Sequence, residues 1–194
     1  MRQFLYFSKS AVTSGNALAE GNLMRAGRMD IVIHTIISAF FLSHDIRKDV
    51  KVHLVFYGMP DPPKHIEIEI RPEFTISKKD VANLIRKILY KYRQGERKEV
   101  LPGCFVEKKS FYNVVEELIE QGNEIYILDK KGKDIREAKI SENCVFVLGD
   151  QDGLPEKEFK RLKKMAIPVS VGPKTYFASH VVSVVNNELD RKEI

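Results

Sequence analysis

The sequence predicts an α/β fold with a mostly parallel sheet flanked by helices, and three observations lead there. From Glu99 to Arg191 short apolar strands alternate with amphipathic helices, the pattern of parallel strands joined by right-handed crossovers. Two of those strands, Cys144 to Leu148 and Ala166 to Val171, run straight into glycine turns that begin at Gly149 and Gly172. Finally, 194 residues with 43% hydrophobic content are enough for one domain with a full core.

The elements follow in order. Arg2 to Ser8 holds the run Phe4, Leu5, Tyr6, Phe7 and reads as a buried first strand. Ser10 to Met29 is rich in Ser, Gly and Asn without apolar periodicity, so a long loop of functional character is expected. Asp30 is placed to cap a helix through Ser43 that is apolar on nearly every face and therefore buried on several sides. Lys51 to Tyr57 and His65 to Ile70 alternate as strands and could pair across the Gly58 to Pro63 breaker. Ser77 is placed to cap a helix to about Arg93, with Val81, Leu84, Ile85, Ile88 and Leu89 at helical spacing. Then come a strand (Val100 to Phe105), a helix (Ser110 to Gln121), a strand (Glu124 to Leu128), the Cys144 strand, a helix (Pro155 to Met165), the Ala166 strand and a helix (Ser179 to Arg191).

Charge and reactive residues narrow the function. Thirty-two Lys and Arg against 27 Asp and Glu give a net charge of +5, a mild excess that favours a polyanionic partner. The 30% charged content is also what heat adaptation produces. Cys104 and Cys144 form no CxxC pair, and no secretory signal or membrane span is recognisable, so a cytoplasmic protein without membrane attachment is expected. His34, His44, His53, His65 and His180 show no i,i+4 pairing, which argues against a metal site.

A strand that ends in glycine leaves its terminal peptide groups open to a ligand, and open α/β sheets bind ligands beyond the carboxyl ends of their strands. Leu128, Gly149 and the Val171-Gly172 pair fall there. No GxGxxG loop follows the first strand and no phosphate-binding GxxxxGK[ST] string exists, which excludes the common dinucleotide and P-loop arrangements.

The segments Val145 to Pro155 and Val169 to Lys174, with the closing Ser179-His180 and Asn187-Glu-Leu-Asp190, resemble the C-terminal motifs of SPOUT methyltransferases. Gly27 to Asp30, Ser38 to Arg47 and Asp61 to Pro63 are similar to the archaeal branch of that superfamily that methylates N1 of pseudouridine in tRNA. The resemblance spans essentially the whole chain. It implies one domain over 1–194, with an RNA-facing N-terminal part (1–122) and a cofactor-binding part (123–194) tied in a C-terminal trefoil knot. It implies S-adenosylmethionine as cofactor, held by Leu128, Gly149, Gly153, Ser170, Val171 and Gly172, with Tyr176, Phe177 and Ala178 on the adenine side. Relatives often carry cysteine after the histidine of the closing motif; Val181 stands there, which argues against a thiol nucleophile.

Methyl transfer to a ring nitrogen is an in-line displacement that needs alignment and removal of the N1 proton. Asp61, held between prolines, is the candidate carboxylate for that proton. Arg28 is the second candidate catalytic residue. Arg25, Arg28, Asp30, Arg47 and Lys174 are the candidate contacts to substrate RNA, the arginines through guanidinium forks that suit phosphate. The expected substrate is pseudouridine 54 in the T arm of tRNA, extruded or already unstacked. The two apolar helices, 30–43 and 179–191, point to a homodimer that hides them. The alternatives are a ribosomal-RNA pseudouridine N1-methyltransferase and a non-catalytic RNA-binding assembly protein of the same fold.

Overall fold

The computed structural model describes residues 1–18, 22–74 and 76–194. Its sheet has eight strands: β1 (Arg2–Ser8), β2 (Val50–Phe56), β3 (Lys64–Glu69), β4 (Lys98–Leu101), β5 (Cys104–Glu107), β6 (Glu124–Asp134), β7 (Cys144–Gly149) and β8 (Ile167–Ser170). They lie in the order β4-β5-β3-β2-β1-β7-β6-β8. The strands β2, β1, β7, β6 and β8 pair in parallel, and β3, β5 and β4 extend one edge in antiparallel fashion.

Burial on both faces explains the near-continuous apolar run of β1, whose seven residues are all buried. Phe4 and Tyr6 face a core shared with α2 (Met29–Phe40), α3 (Val81–Tyr90) and α6 (Ala178–Arg191). Leu5 and Phe7 face the opposite core with α4 (Phe111–Glu120), whose N-terminus is capped by Ser110 Oγ accepting from Asn113 N at 3.2 Å. On α3 the five residues expected to face inward are all buried. The remaining helices are α1 (Gly15–Leu18) and α5 (Glu156–Leu162).

Four expectations are corrected. The strand expected over 100–105 is two strands, β4 and β5, because Pro102-Gly103 folds the chain back on itself as a tight antiparallel pair. The loop expected over 10–29 contains the one-turn helix α1, and residues 19–21 of it lie outside the described residues. Asp30 does not cap α2: Arg28 occupies the N-cap position and its guanidinium takes the Asp30 carboxylate, so helix and ion pair form together. Finally, α2 and α6 bury each other's apolar faces, and Asn186 Nδ2 donates to the carbonyls of Ser38 (3.2 Å) and Ala39 (3.3 Å) at their contact. The bare helix surface that argued for a dimer is therefore covered from within the chain. Among the described residues no helix is long and apolar enough to cross a membrane.

Candidate active site

A cavity of about 1030 Å³ opens beyond the carboxyl ends of β7 and β8 and beside Leu128 to Lys130 of β6; the starts of α6 and α2 border its far sides. The strand β6, expected to end at Leu128, instead continues to Asp134 with a register break after Leu128. Every residue assigned to the cofactor from sequence lines it: Leu128 from β6, Gly149 and Gly153 from the turn after β7, Ser170, Val171 and Gly172 after β8, and Tyr176, Phe177 and Ala178 leading into α6. The parallel register sets this convergence, since Leu128 pairs with Val169 while Gly149 pairs with Phe7 on the central strand.

Gly149 serves a close approach, though by the chain's own backbone: a Cβ there would lie 2.3 Å from the carbonyl carbon of Gly153. Gly153 has φ +75, the left-handed region that glycine alone enters freely, and no atom lies within 4 Å of where its Cβ would be. One glycine thus packs the turn and the other leaves its inner face open. Ser170 Oγ braces the third turn, accepting from Gly172 N at 3.2 Å. The rings of Tyr176 and Phe177 are 45% and 65% exposed at the rim.

Several lining residues had not been singled out from sequence. Asp150 is buried in the turn after β7; its carboxylate accepts from Ser8 Oγ (2.9 Å) and Lys9 N (3.0 Å), which ties the cavity to the end of β1. Asp129 directly follows Leu128, and a hydrogen bond from Lys163 holds its carboxyl below the usual range. His180 and Ile31 also line the space. The signal for Asp129 and Asp150 was their place one residue beyond a strand-end position already chosen; nothing in the sequence marks Ile31 apart from its helix.

The substrate-side residues are placed differently. Lys174 lines the cavity. Arg28 and Asp30 do not, but they precede Ile31, and the guanidinium grips the carboxylate at two points, both 3.0 Å. Arg28 stands at φ 61, and its hydrogen bond lowers the pKa of Asp30. Buried Tyr6, whose hydroxyl has no hydrogen-bond partner among the described residues, has its phenol pKa pushed up by desolvation first and then by the charges of Asp150 and Asp30. Arg25 is exposed in the turn before α2, with its backbone N bonded to Asn22 Oδ1 at 3.2 Å. Arg47 is committed elsewhere: 12% exposed, it pairs with Asp190 at the end of α6, which Arg2 also reaches at 2.7 Å. Asp61 lies outside the cavity lining, on the turn after β2, where Lys108 and Lys64 both bond its carboxylate and hold its pKa below the ordinary value. The Asp61 backbone N donates to Thr13 Oγ1 at 2.9 Å.

The histidines separated in sequence as His53 and His65 stack in the interior, their rings 5.3 Å apart. Cys104 and Cys144 are buried free thiols whose pKa values burial pushes up to about 12 and about 11, which keeps both unreactive. Among the described residues no group of three or more metal-ligating side chains converges.

Comparison with known proteins gives a consistent picture. A family model described as "Putative SAM-dependent RNA methyltransferase" matches residues 1–194. The tRNA (pseudouridine(54)-N(1))-methyltransferase of Pyrococcus abyssi is 36% identical over 201 residues, covering 98% of each chain. Its namesake from Methanocaldococcus jannaschii is 33% identical over 204 residues, covering 100% of this chain and 98% of its own. In structure, Archaeoglobus fulgidus Nep1 bound to S-adenosylhomocysteine superposes with a TM-score of 0.61 at 14% identity, covering 99% of this chain and 98% of Nep1, a likeness of fold.

Proposed function

The chain belongs to the family of SAM-dependent RNA methyltransferases, and from that premise we propose that it transfers the methyl group of S-adenosylmethionine to N1 of pseudouridine 54 in tRNA. One observation carries the cofactor half of this reading. The turns after β7 and β8 meet the register break of β6 after Leu128 around a single cavity of about 1030 Å³, the upper range of small-molecule sites. The full-length likeness to enzymes named for that tRNA position carries the substrate half.

The residues present fit the cofactor. Main chain of the turns after β7 and β8 lines the wall, where a ligand can approach the backbone closely, and the exposed rings of Tyr176 and Phe177 offer faces for stacking. When bound, the cofactor supplies an electrophilic methyl group. The chain's work is then to align it with the incoming nitrogen and to exclude water. Asp150, anchored on β1, fixes the turn after β7 in place for that alignment.

The substrate approaches from the side of Arg28 and Asp30, one turn of chain from the cavity-lining Ile31. Their mutual grip keeps the guanidinium oriented with its remaining N–H groups available for a base or phosphate. Asp61, stabilised as a carboxylate by two lysines, is a weak base, so in this reading it accepts a hydrogen bond from the base and directs the N1 proton outward to solvent. The threaded C-terminal knot is part of the proposal, supported by the order β1-β7-β6-β8 and the return of α6 onto α2. So is a homodimer, which would cover the exposed Met24 and Leu42 near the two ends of α2. A cytoplasmic location follows from the tRNA substrate.

The test is mass spectrometry of nucleosides after incubation with cofactor and tRNA carrying pseudouridine or uridine at position 54. One added methyl on the pseudouridine transcript alone is the expected result. Methylation of neither transcript, or of both alike, overturns the substrate.

A further inference from the structure

The net charge of the whole chain, +5, is equalled by residues 78–93 alone, where Lys78, Lys79, Arg86, Lys87, Lys91 and Arg93 face the single acid Asp80. The rest of the molecule is close to neutral, so its attraction for a polyanion is concentrated on α3 and its flanks. Helical spacing organises that charge. The apolar residues of α3 are buried, which leaves Arg86, Lys87 and Tyr90 together on the exposed stripe, with Lys91 next in sequence. Of the cations on this segment, Arg93 alone reaches an acid among the described residues, Glu96 at 3.9 Å.

A second cavity, of about 400 Å³, lies in this face between α1 and α3, bounded by Asn16, Arg86, Lys87, Tyr90 and Lys91. Gly15 is what lets the two helices meet so closely, since a Cβ there would sit 2.6 Å from the Arg86 carbonyl oxygen and 2.8 Å from Tyr90 Cβ. Tyr90 is 65% exposed, an aromatic ring beside Arg86, Lys87 and Lys91, none of which reaches an acid among the described residues. The two cavities share no lining residue, and a pinned stretch of chain links them. The chain leading into α1 starts at Ser8, which holds Asp150, and is pinned on the way by Ala11 O accepting from Gly58 N (3.0 Å) and Thr13 Oγ1 donating to Gly58 O (2.9 Å).

We propose that the exposed face of α3 and the groove beside α1 form a docking surface for the phosphate backbone of RNA, separate from the cofactor cavity, which seats tRNA at a point remote from the target base. Ammonium and guanidinium groups neutralise phosphates, Asn16 adds a neutral donor, and the Tyr90 ring meets sugar or base. The proposal rests on the reading of tRNA as substrate.

It is tested with the triple variant Arg86→Gln, Lys87→Gln, Lys91→Gln, whose exposed positions and good helix formers leave the fold intact. Binding of tRNA by the cofactor-loaded protein is measured over a series of salt concentrations, with S-adenosylmethionine affinity as the check on folding. The variant is expected to bind tRNA on the order of tenfold more weakly at low salt, with a log K against log salt slope shallower by about two. Wild-type affinity and slope in the variant overturn the docking surface. Absence of tRNA binding by the wild-type protein overturns the substrate reading beneath it, and the two failures are distinct.

Discussion

Gly149 was legible as a glycine that something must approach, but what approaches it is Gly153 of its own turn. Sequence reports that a Cβ is missing; it does not report which atoms use the space. The consequence is specific. Gly149→Ala must displace backbone rather than a side chain, costing about 1–3 kcal/mol of stability and spoiling the turn. We expect calorimetry to show S-adenosylmethionine binding weakened on the order of tenfold or more in the folded variant; unchanged affinity would mean that this turn does not shape the site. The cationic residues show the opposite limit of sequence reading. Arg47 looked available to RNA and is bound to Asp190, because the partner lies 143 positions away and only the packing of α2 on α6 brings it near. Asp61 sits beside prolines as read, with Lys64 three residues on, yet its second lysine was invisible until the end of β5 brought Lys108 to it.

Among the elements, those with strong periodicity were readable, and the central strands, α3, α4 and α6 fall where their apolar spacing puts them. The β4-β5 hairpin was missed because the Pro102-Gly103 turn signal in the middle of Val100 to Phe105 was read through as part of one strand. Least legible was a polar line buried across four strands. Gln3 on β1, His53 on β2, His65 on β3 and Glu107 on β5 join through contacts of 2.9 Å (Gln3 to His53), 3.0 Å (His53 to His65) and 3.0 Å (His65 to Glu107). Asn123 fixes its polarity: its Nδ2 donates to the Leu118 carbonyl, so its Oδ1 accepts from Gln3 Nε2, and Gln3 Oε1 accepts from His53 Nε2. Around this line stand Lys51, Glu67, Arg97 and Lys109, with Glu117 of α4 bonded to Lys109. Desolvation, with the charge of His65 adding to it, drives the His53 pKa well below 6.5. Burial alone would raise the Glu107 carboxyl, but hydrogen bonds from His65 and Lys109 outweigh it and hold the pKa at about 2. Both folded values are depressed, so below about 6.5 for histidine, and again below about 4.3 for glutamate, the unfolded chain takes up protons that the folded one refuses. Thermal unfolding followed against pH should therefore show Tm falling as acidity increases through these two ranges, the lower of which Glu107→Gln reduces without abolishing, since ion pairs also hold the Asp30, Asp61, Asp129, Asp134 and Asp190 carboxyls low. A Tm that stays level from neutral pH to pH 3 contradicts this.

For the molecule as a whole, the parallel half of the sheet carries the cofactor cavity and the antiparallel edge, with α3 above it, carries the charge. The sequence located the first because strand ends and glycine turns are local features that a parallel register then gathers. It did not locate the second, because +5 is a sum over 194 residues and its concentration on one helix face appears only when that face is known to be exposed. That α2 and α6 cover each other was hidden for a related reason: the two apolar helices lie far apart in sequence and meet only in the fold. Titration of the purified protein with S-adenosylmethionine in a calorimeter reaches the central claim most directly. The account predicts one site per chain, competed by S-adenosylhomocysteine and accompanied by a rise in Tm; absence of binding by a protein that melts cooperatively would contradict it.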